Sequence, residues 1–231
     1  MAESHRKAAD VGRTVRVWDV PVRVFHWLLV ALILTSWVTS EIGGNAMTYH
    51  MWSGYAILTL VLSRIVWGFI GSEHARFRGL LYGPRAMIEY ASGLFGTGSR
   101  YYAGHNPVGG LSVLLMLASM LLQASTGLFA NDDIATEGPL AHLVSGDTSS
   151  LLTTIHRWNF WVLTALIAIH VAAALYYLFV KRDNLIGAMF TGRKRVPGEG
   201  DFADARMAST WLALAVVVVI AAGVAALVNW R

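Results

Sequence analysis

No cysteine occurs among the 231 residues. That absence excludes disulfides, cysteine-ligated iron–sulfur clusters, zinc–thiolate sites and haem attached through C-x-x-C-H. A redox centre in this chain must be held by histidine or methionine. Charge is also scarce: 14% of residues are Asp, Glu, Lys or Arg, against about a quarter in soluble domains. Water is therefore not the solvent for most of the chain. There is no internal repeat, no low-complexity block and no A-x-A-like cleavage site after the charged first 23 residues, so the first apolar run reads as retained.

What is present is apolar surface, 55% of residues, in runs long enough to cross a bilayer. Five spans are expected: Val22–Ser40, Met47–Ile70, Gly109–Ala130, Leu151–Val180 and Ser209–Asn229. Cations lie in the N-terminal segment (Arg6, Lys7, Arg13, Arg16, Arg23), between the second and third spans (Arg76, Arg78, Arg85, Arg100), and between the fourth and fifth (Lys181, Arg182, Arg193, Lys194, Arg195, Arg206). The loops Glu41–Met47 and Asn131–Ser150 have none, and carry Glu41, Asp132, Asp133, Glu137 and Asp147. By the positive-inside rule the N-terminus is cytoplasmic and those two loops are external. The expected fold is all-α, an integral membrane four-helix bundle over 22–191 behind a cytoplasmic segment 1–21. A polar linker at 192–208, mobile over Gly192–Asp204, precedes a fifth helix at 209–231 that has no charge between Trp211 and Val228. A short helix near Pro84–Leu94 should lie at the membrane surface.

Of eight histidines, His26, His50, His156 and His170 lie in or at the edge of apolar spans. The others are His5, His74, His105 and His142. Fourteen residues separate His156 from His170, a rise of about 21 Å on one helix face. With the orientation above, His26 and His170 share the inner half of the membrane, and His50 and His156 the outer. Histidines that only hydrogen-bond neighbouring helices are an alternative, which two on one face at opposite depths disfavour. Two imidazoles per site without thiolate or carboxylate argue against structural zinc and di-iron chemistry. They suit a six-coordinate b-type haem, whose macrocycle supplies the remaining ligands and fills the gap between helices. Ala165, Ala168 and Ala172–Ala174 on the fourth span, with Gly54 and Ala56 on the second, offer room for the ring. Arg23, Arg64 and Arg157 are candidate partners for haem propionates through the bidentate guanidinium fork, or they snorkel to lipid phosphates.

The motifs PVRVFHW (Pro21–Trp27), SRIVWGFIGSEHARF (Ser63–Phe77), GHNPVGG (Gly104–Gly110), IHRWNFWVLTALIAIH (Ile155–His170) and DNLIGAMFTGRK (Asp183–Lys194) occur in an order that resembles the bacterial cytochrome b561 family. That family includes the cytochrome b subunits of nickel–iron hydrogenases and is related to those of formate dehydrogenases. The likeness covers roughly 16–195. It implies a four-helix bundle with two b haems ligated by His26, His50, His156 and His170. It also implies a quinone near the inner haem at the start of the third helix, where His105 and Asn106 supply a donor and a proton source; alternatively Asn106 caps that helix before Pro107. The fifth span departs from the four-helix pattern and leaves the partner open.

The resulting expectation is a diheme cytochrome in the bacterial inner membrane, moving electrons between the quinone pool and a periplasmic redox protein (a c-type cytochrome, hydrogenase or dehydrogenase), with no nucleic acid as partner. The irons should lie about 20 Å apart along the membrane normal, with ring edges closer. Two alternatives stand beside it. One is a self-contained oxidoreductase acting on a small molecule such as superoxide at the outer haem, which the acidic external loops disfavour. The other is a cofactor-free histidine proton relay or transporter, which predicts acidic residues inside spans; none is found.

Overall fold

A computed structural model describes residues 12–94, 101–132, 134, 136–197 and 202–230. His5, Arg6, Lys7, Arg100 and Asp133 lie outside the described residues.

Five helices are long and apolar enough to cross a membrane. The first, α1 (Val20–Ile42), starts where the Asp19 carboxylate accepts the Val22 N–H at 2.7 Å and Pro21 occupies the first turn. It ends at Gly43, whose φ of 67° is followed by 53° at Gly44. These two left-handed residues turn the chain straight into α2 (Met47–Ile70). A surface helix, α3 (Pro84–Gly93), precedes α4 (Pro107–Gly127), which Asn106 caps by accepting the Gly109 N–H at 2.8 Å. Ser145 caps α5 (Gly146–Phe179), with Asp147 in the first turn where the helix dipole favours an anion. A short α6 (Leu185–Thr191) ends at left-handed Gly192, and α7 (Thr210–Val228) closes the chain.

α1 packs on α2, α4 on α5, and α2 touches both α4 and α7. The centre is apolar: Leu29, Ile57, Val61, Leu117, Met120 and Leu163 form one buried cluster. Many large side chains point outward, among them Trp37, Phe69, Trp158, Trp161 and Trp211. Such a surface is an aggregation hazard in water and the favoured one in hydrocarbon. The molecule is a multi-pass helical membrane protein. One end carries the described arginines other than Arg157 and the other the acidic loops, hereafter the basic and acidic ends.

The fifth span is built into the bundle. Ala213, near one end of α7, is buried with Val22, Trp67 and Ala75; Val224, near the other, is buried with Leu58, Leu128 and Leu140. The approach to α7, within the stretch expected to be a polar linker, is hydrogen-bonded to the bundle at several points of its described part. Arg193–Val196 forms β2, antiparallel to β1 (Arg13–Arg16), with Arg13 opposite Val196. Further on, Arg16 N–H donates to Asp204 at 2.7 Å, Ala205 N–H to Arg16 O at 3.0 Å, Glu73 N–H to Arg206 O at 3.0 Å and Ala208 N–H to Ser72 Oγ at 2.9 Å. The physical reason is an alternation hidden in a run of cations. In RKRV, Lys194 and Val196 point inward and Arg193 and Arg195 outward. Lys194 is tolerated inside because it pairs with Asp183 at 2.9 Å and lies over the Tyr101 ring.

Candidate functional site

The four span histidines come together in two pairs at opposite ends of the bundle. His26 of α1 faces His170 of α5 at the basic end, with ring centroids 6.3 Å apart. His50 of α2 faces His156 of α5 at the acidic end, with centroids 6.2 Å apart. A first-row metal sits about 2 Å from an imidazole nitrogen, itself about 1 Å from its ring centre, so two axial imidazoles on one iron need centroids about 6 Å apart. Both pairs have that spacing. No group of three or more His, Asp or Glu suited to a metal exists among the described residues. A metal held by either pair must therefore bring its equatorial ligands with it, as a haem does.

The acidic-end pair opens onto a cavity of about 680 Å³ lined by Gly54, Met120, Ala124, Gly127 and Arg157 as well as both rings. That lies within the roughly 300–1,000 Å³ of cofactor pockets. Gly127 lets the helix approach the ring closely: a Cβ there would lie a tight 3.0 Å from His156 Cε1. Gly54 opens on free space, as expected for a residue that makes room for a ring. Ala56 instead faces α7 across a separate gap lined by Tyr55, Ala221 and Val224. Both histidines are oriented by backbone carbonyls. His50 Nδ1 lies 2.9 Å from Ser36 O and His156 Nδ1 2.9 Å from Gln123 O, which leaves each Nε2 free as a ligand. Beside them a polar network crosses from α4 to α5. Ser119 Oγ donates to Asn159 Oδ1 at 3.0 Å, and Asn159 Nδ2 donates to Ser119 O at 2.9 Å and Gln123 Oε1 at 2.8 Å.

The basic-end pair is surrounded by nitrogens that lack partners. His26 Nδ1, Arg64 Nη1, Arg23 Nε and His105 Nδ1 are all buried without a hydrogen bond. Arg64 is 5% exposed, over the Phe77 ring at 5.9 Å. Arg23 donates from Nη1 to Phe190 O at 2.8 Å, at the end of α6. Asp19 is close enough to Arg64 for their charges to interact, but the buried Nη1 has no acceptor, and a buried donor left unpaired costs about 1–3 kcal/mol. Acceptors are the missing chemistry here, and a haem brings two carboxylates. Arg157 is exposed at the other end, beside His156. The residues present fit the group at both ends.

His105 stacks obliquely on Trp18 at 4.7 Å. Burial, with the Arg64 charge next, pushes its ring down to about 3. It is therefore neutral at working pH and is an N–H donor, not a stored proton. Asn106 serves as the α4 cap, and its Nδ2 donates to Tyr177 Oη at 3.0 Å. Tyr177 in turn hydrogen-bonds Tyr90 of α3, tying the surface helix to α5. Sequence reasoning missed Gln123 and Asn159. Both are polar residues inside apolar spans, and Asn159 lies one turn from His156, which was the available signal.

The profile of the prokaryotic cytochrome b561 family matches residues 17–192. This chain belongs to that family. Relatives include the "Probable Ni/Fe-hydrogenase B-type cytochrome subunit" of Rhizobium leguminosarum bv. viciae, 23% identical over 227 residues that cover 84% of this chain and 94% of the relative. The protein of the same name from Bradyrhizobium diazoefficiens is 25% identical, with coverage of 80% and 88%. The "Probable Ni/Fe-hydrogenase 1 B-type cytochrome subunit" of Escherichia coli K12 is 25% identical, with coverage of 76% and 88%. No solved structure matches the chain at comparable significance. As a cytochrome b561 the protein is a b-type haem protein of the membrane that carries electrons.

Proposed function

We propose that this cytochrome b561 binds two haems b, one between His26 and His170 and one between His50 and His156, and passes electrons across the bacterial inner membrane. The observation that carries the proposal is the pair of ring separations, 6.3 and 6.2 Å, at opposite ends of one bundle. Haem, when bound, supplies a one-electron iron couple; everything else is done by the chain. Carbonyls of Ser36 and Gln123 aim the acidic-end rings. Arg23 and Arg64 meet propionates at the basic end, and Arg157 at the other. The apolar bundle of 22–191 excludes water, and the hydrogen-bonded segment before α7 joins the fifth helix to it.

The basic end faces the cytoplasm, so the N-terminus is cytoplasmic. A quinone at that end would approach His105 and Asn106. The neutral His105 supplies a hydrogen bond, and the protons taken up on reduction come from the aqueous side. The acidic end receives the periplasmic protein. The names of the relatives favour a hydrogenase; a c-type cytochrome or a dehydrogenase would dock by the same charge complementarity, with a rate that falls as salt rises. The test is haem content and reduced-minus-oxidised spectra of purified protein and four His→Ala variants. Two haems b per chain, with His26→Ala and His170→Ala removing one and His50→Ala and His156→Ala the other, is the expected result. A haem-free wild type, or crossed pairing, would refute the proposal.

A further inference from the structure

Residues 80–94 wrap the start of α4. Leu80 is buried, and a Cβ on Gly110 would lie 2.6 Å from its carbonyl oxygen. Gly110 is in the first turn of a membrane-spanning helix, so this stretch lies at the depth of the lipid headgroups at the basic end. Two of its large apolar side chains face outward all the same: Leu81 is 67% exposed and Ile88, on α3, 69%. Each has an arginine three residues before it. Arg85 shares the outer face of α3 with Ile88, and Arg78 sits in the single 3-10 turn Phe77–Gly79 ahead of Leu81. Arg85 donates from Nε to Glu89 at 2.8 Å, yet its side chain is 92% exposed. Arg78 is exposed and has no hydrogen bond or ion pair among the described residues. The other acid between α2 and α4, Glu73, turns away to the Arg206 N–H. Guanidinium groups and alkyl side chains at one depth, both facing out, are the chemistry of a helix lying in the headgroup layer.

We infer that anionic phospholipids are the partner of this face: Arg78 and Arg85 take their phosphates while Leu81 and Ile88 enter the acyl boundary beside them, and the contact holds α3 onto the start of α4. The other side of the stretch is bonded to the bundle. Tyr82 Oη donates to His105 O at 2.9 Å and Tyr176 Oη to Leu94 O at 3.1 Å. The buried Tyr90 hydroxyl meets that of Tyr177, which accepts from Asn106 Nδ2 at 3.0 Å. Asn106 Oδ1 in turn accepts the Gly109 N–H. A pull on the outer face of α3 therefore reaches the cap of α4 through the Tyr90–Tyr177 and Tyr177–Asn106 hydrogen bonds. A zwitterionic surface offers Leu81 and Ile88 the same hydrocarbon, but it balances each phosphate with a cation of its own. An anionic one leaves a negative surface potential that draws the arginines in. The partner is the leaflet itself, and the contact requires neither haem nor quinone.

The test uses the full-length protein in vesicles of phosphatidylcholine, alone or mixed with phosphatidylglycerol. Because the chain has no cysteine, Ile88→Cys carries a single nitroxide. In the mixed vesicles that nitroxide should be open to oxygen and shielded from a water-soluble nickel chelate, and more deeply so than in phosphatidylcholine alone. Amide exchange at Gly109 and Gly110, whose N–H groups donate to Asn106, should be slower in the mixed vesicles. Arg78→Gln with Arg85→Gln should return both readings to their phosphatidylcholine values, and Arg78→Lys with Arg85→Lys should keep them. Tyr177→Phe should leave the nitroxide at its depth and abolish the exchange difference. A nitroxide open to the nickel chelate in mixed vesicles, or readings that ignore phosphatidylglycerol or the loss of both arginines, would overturn the inference. An exchange difference that survives Tyr177→Phe would overturn the link to the α4 cap.

Discussion

Replacing Asn159 by leucine removes the amide from the most enclosed polar contact between α4 and α5 while keeping the side chain's bulk. Three hydrogen bonds disappear: the one from Ser119 Oγ and those to Ser119 O and Gln123 Oε1. Interhelical hydrogen bonds in membranes average about 0.6 kcal/mol each, so the three together contribute about 2 kcal/mol. Ser119→Ala removes one of them and should cost about 0.6 kcal/mol. Because the bonds are shared, the double variant should cost little more than Asn159→Leu alone, a coupling that additive sites would not show. The assay is SDS-driven unfolding of the protein in mixed micelles, followed by far-UV circular dichroism, on the wild type, both singles and the double. A destabilisation by Asn159→Leu below about 0.5 kcal/mol, or strict additivity, would refute the reasoning. Gln123 also supplies the carbonyl that holds His156, so haem should leave the acidic end of the Asn159→Leu variant faster than it leaves the wild type.

Gly127→Val places a branched side chain where even a Cβ would lie 3.0 Å from His156 Cε1, so the variant should purify with one haem per chain, the basic-end one. Asp19→Ala removes the α1 cap and the acceptor of Trp67 Nε1 at 2.9 Å, with an expected loss of about 3 kcal/mol in the same unfolding assay; Asp19→Asn, which keeps one of the two acceptor oxygens, should lose less. The carboxyl of Glu73 is held below its ordinary value by the Arg206 N–H, and that of Asp204 by the Arg16 N–H. Groups depressed on folding stabilise above their unfolded values and lose that contribution as pH falls through the folded ones. Hydrogen-exchange protection should therefore decline at Arg206 once the pH drops below the ordinary value of 4.5, and at Arg16 once it drops below 3.8. Protection that is flat with pH would count against the shifts.

The spans were legible because their signal is long and one-dimensional. Met47–Ile70 is bounded in the structure as in the sequence reading, since Gly43 and Gly44 mark its start and Gly71 its end. The start of α5 was placed five residues late, at Leu151, because Ser145 and Asp147 begin the helix outside the apolar run. The sheet was hidden for another reason. Its inward lysine is stabilised by Asp183, a partner eleven residues away, so the run of cations read as solvated. At the site, the juxtaposition of the rings followed from helical rise and the loop charges, because bilayer depth turns spacing into position. The orientation of the rings did not. The acceptors are carbonyls of Ser36 and Gln123, and any residue type offers a carbonyl.

The pairing of β1 with β2, and of Arg16 with Asp204 and Ala205, bears on how the protein is made. Residues 13–16 leave the ribosome first, and their partners are translated some 180 positions later. Until then the early strand has unsatisfied backbone groups beside the bilayer. The clasp can close only after α5 has been inserted and its basic tail retained on the N-terminal side. Its closure reports that the four spans between the partners have returned the chain to the side it started from, and a chain in which one of those four failed to cross could not form it.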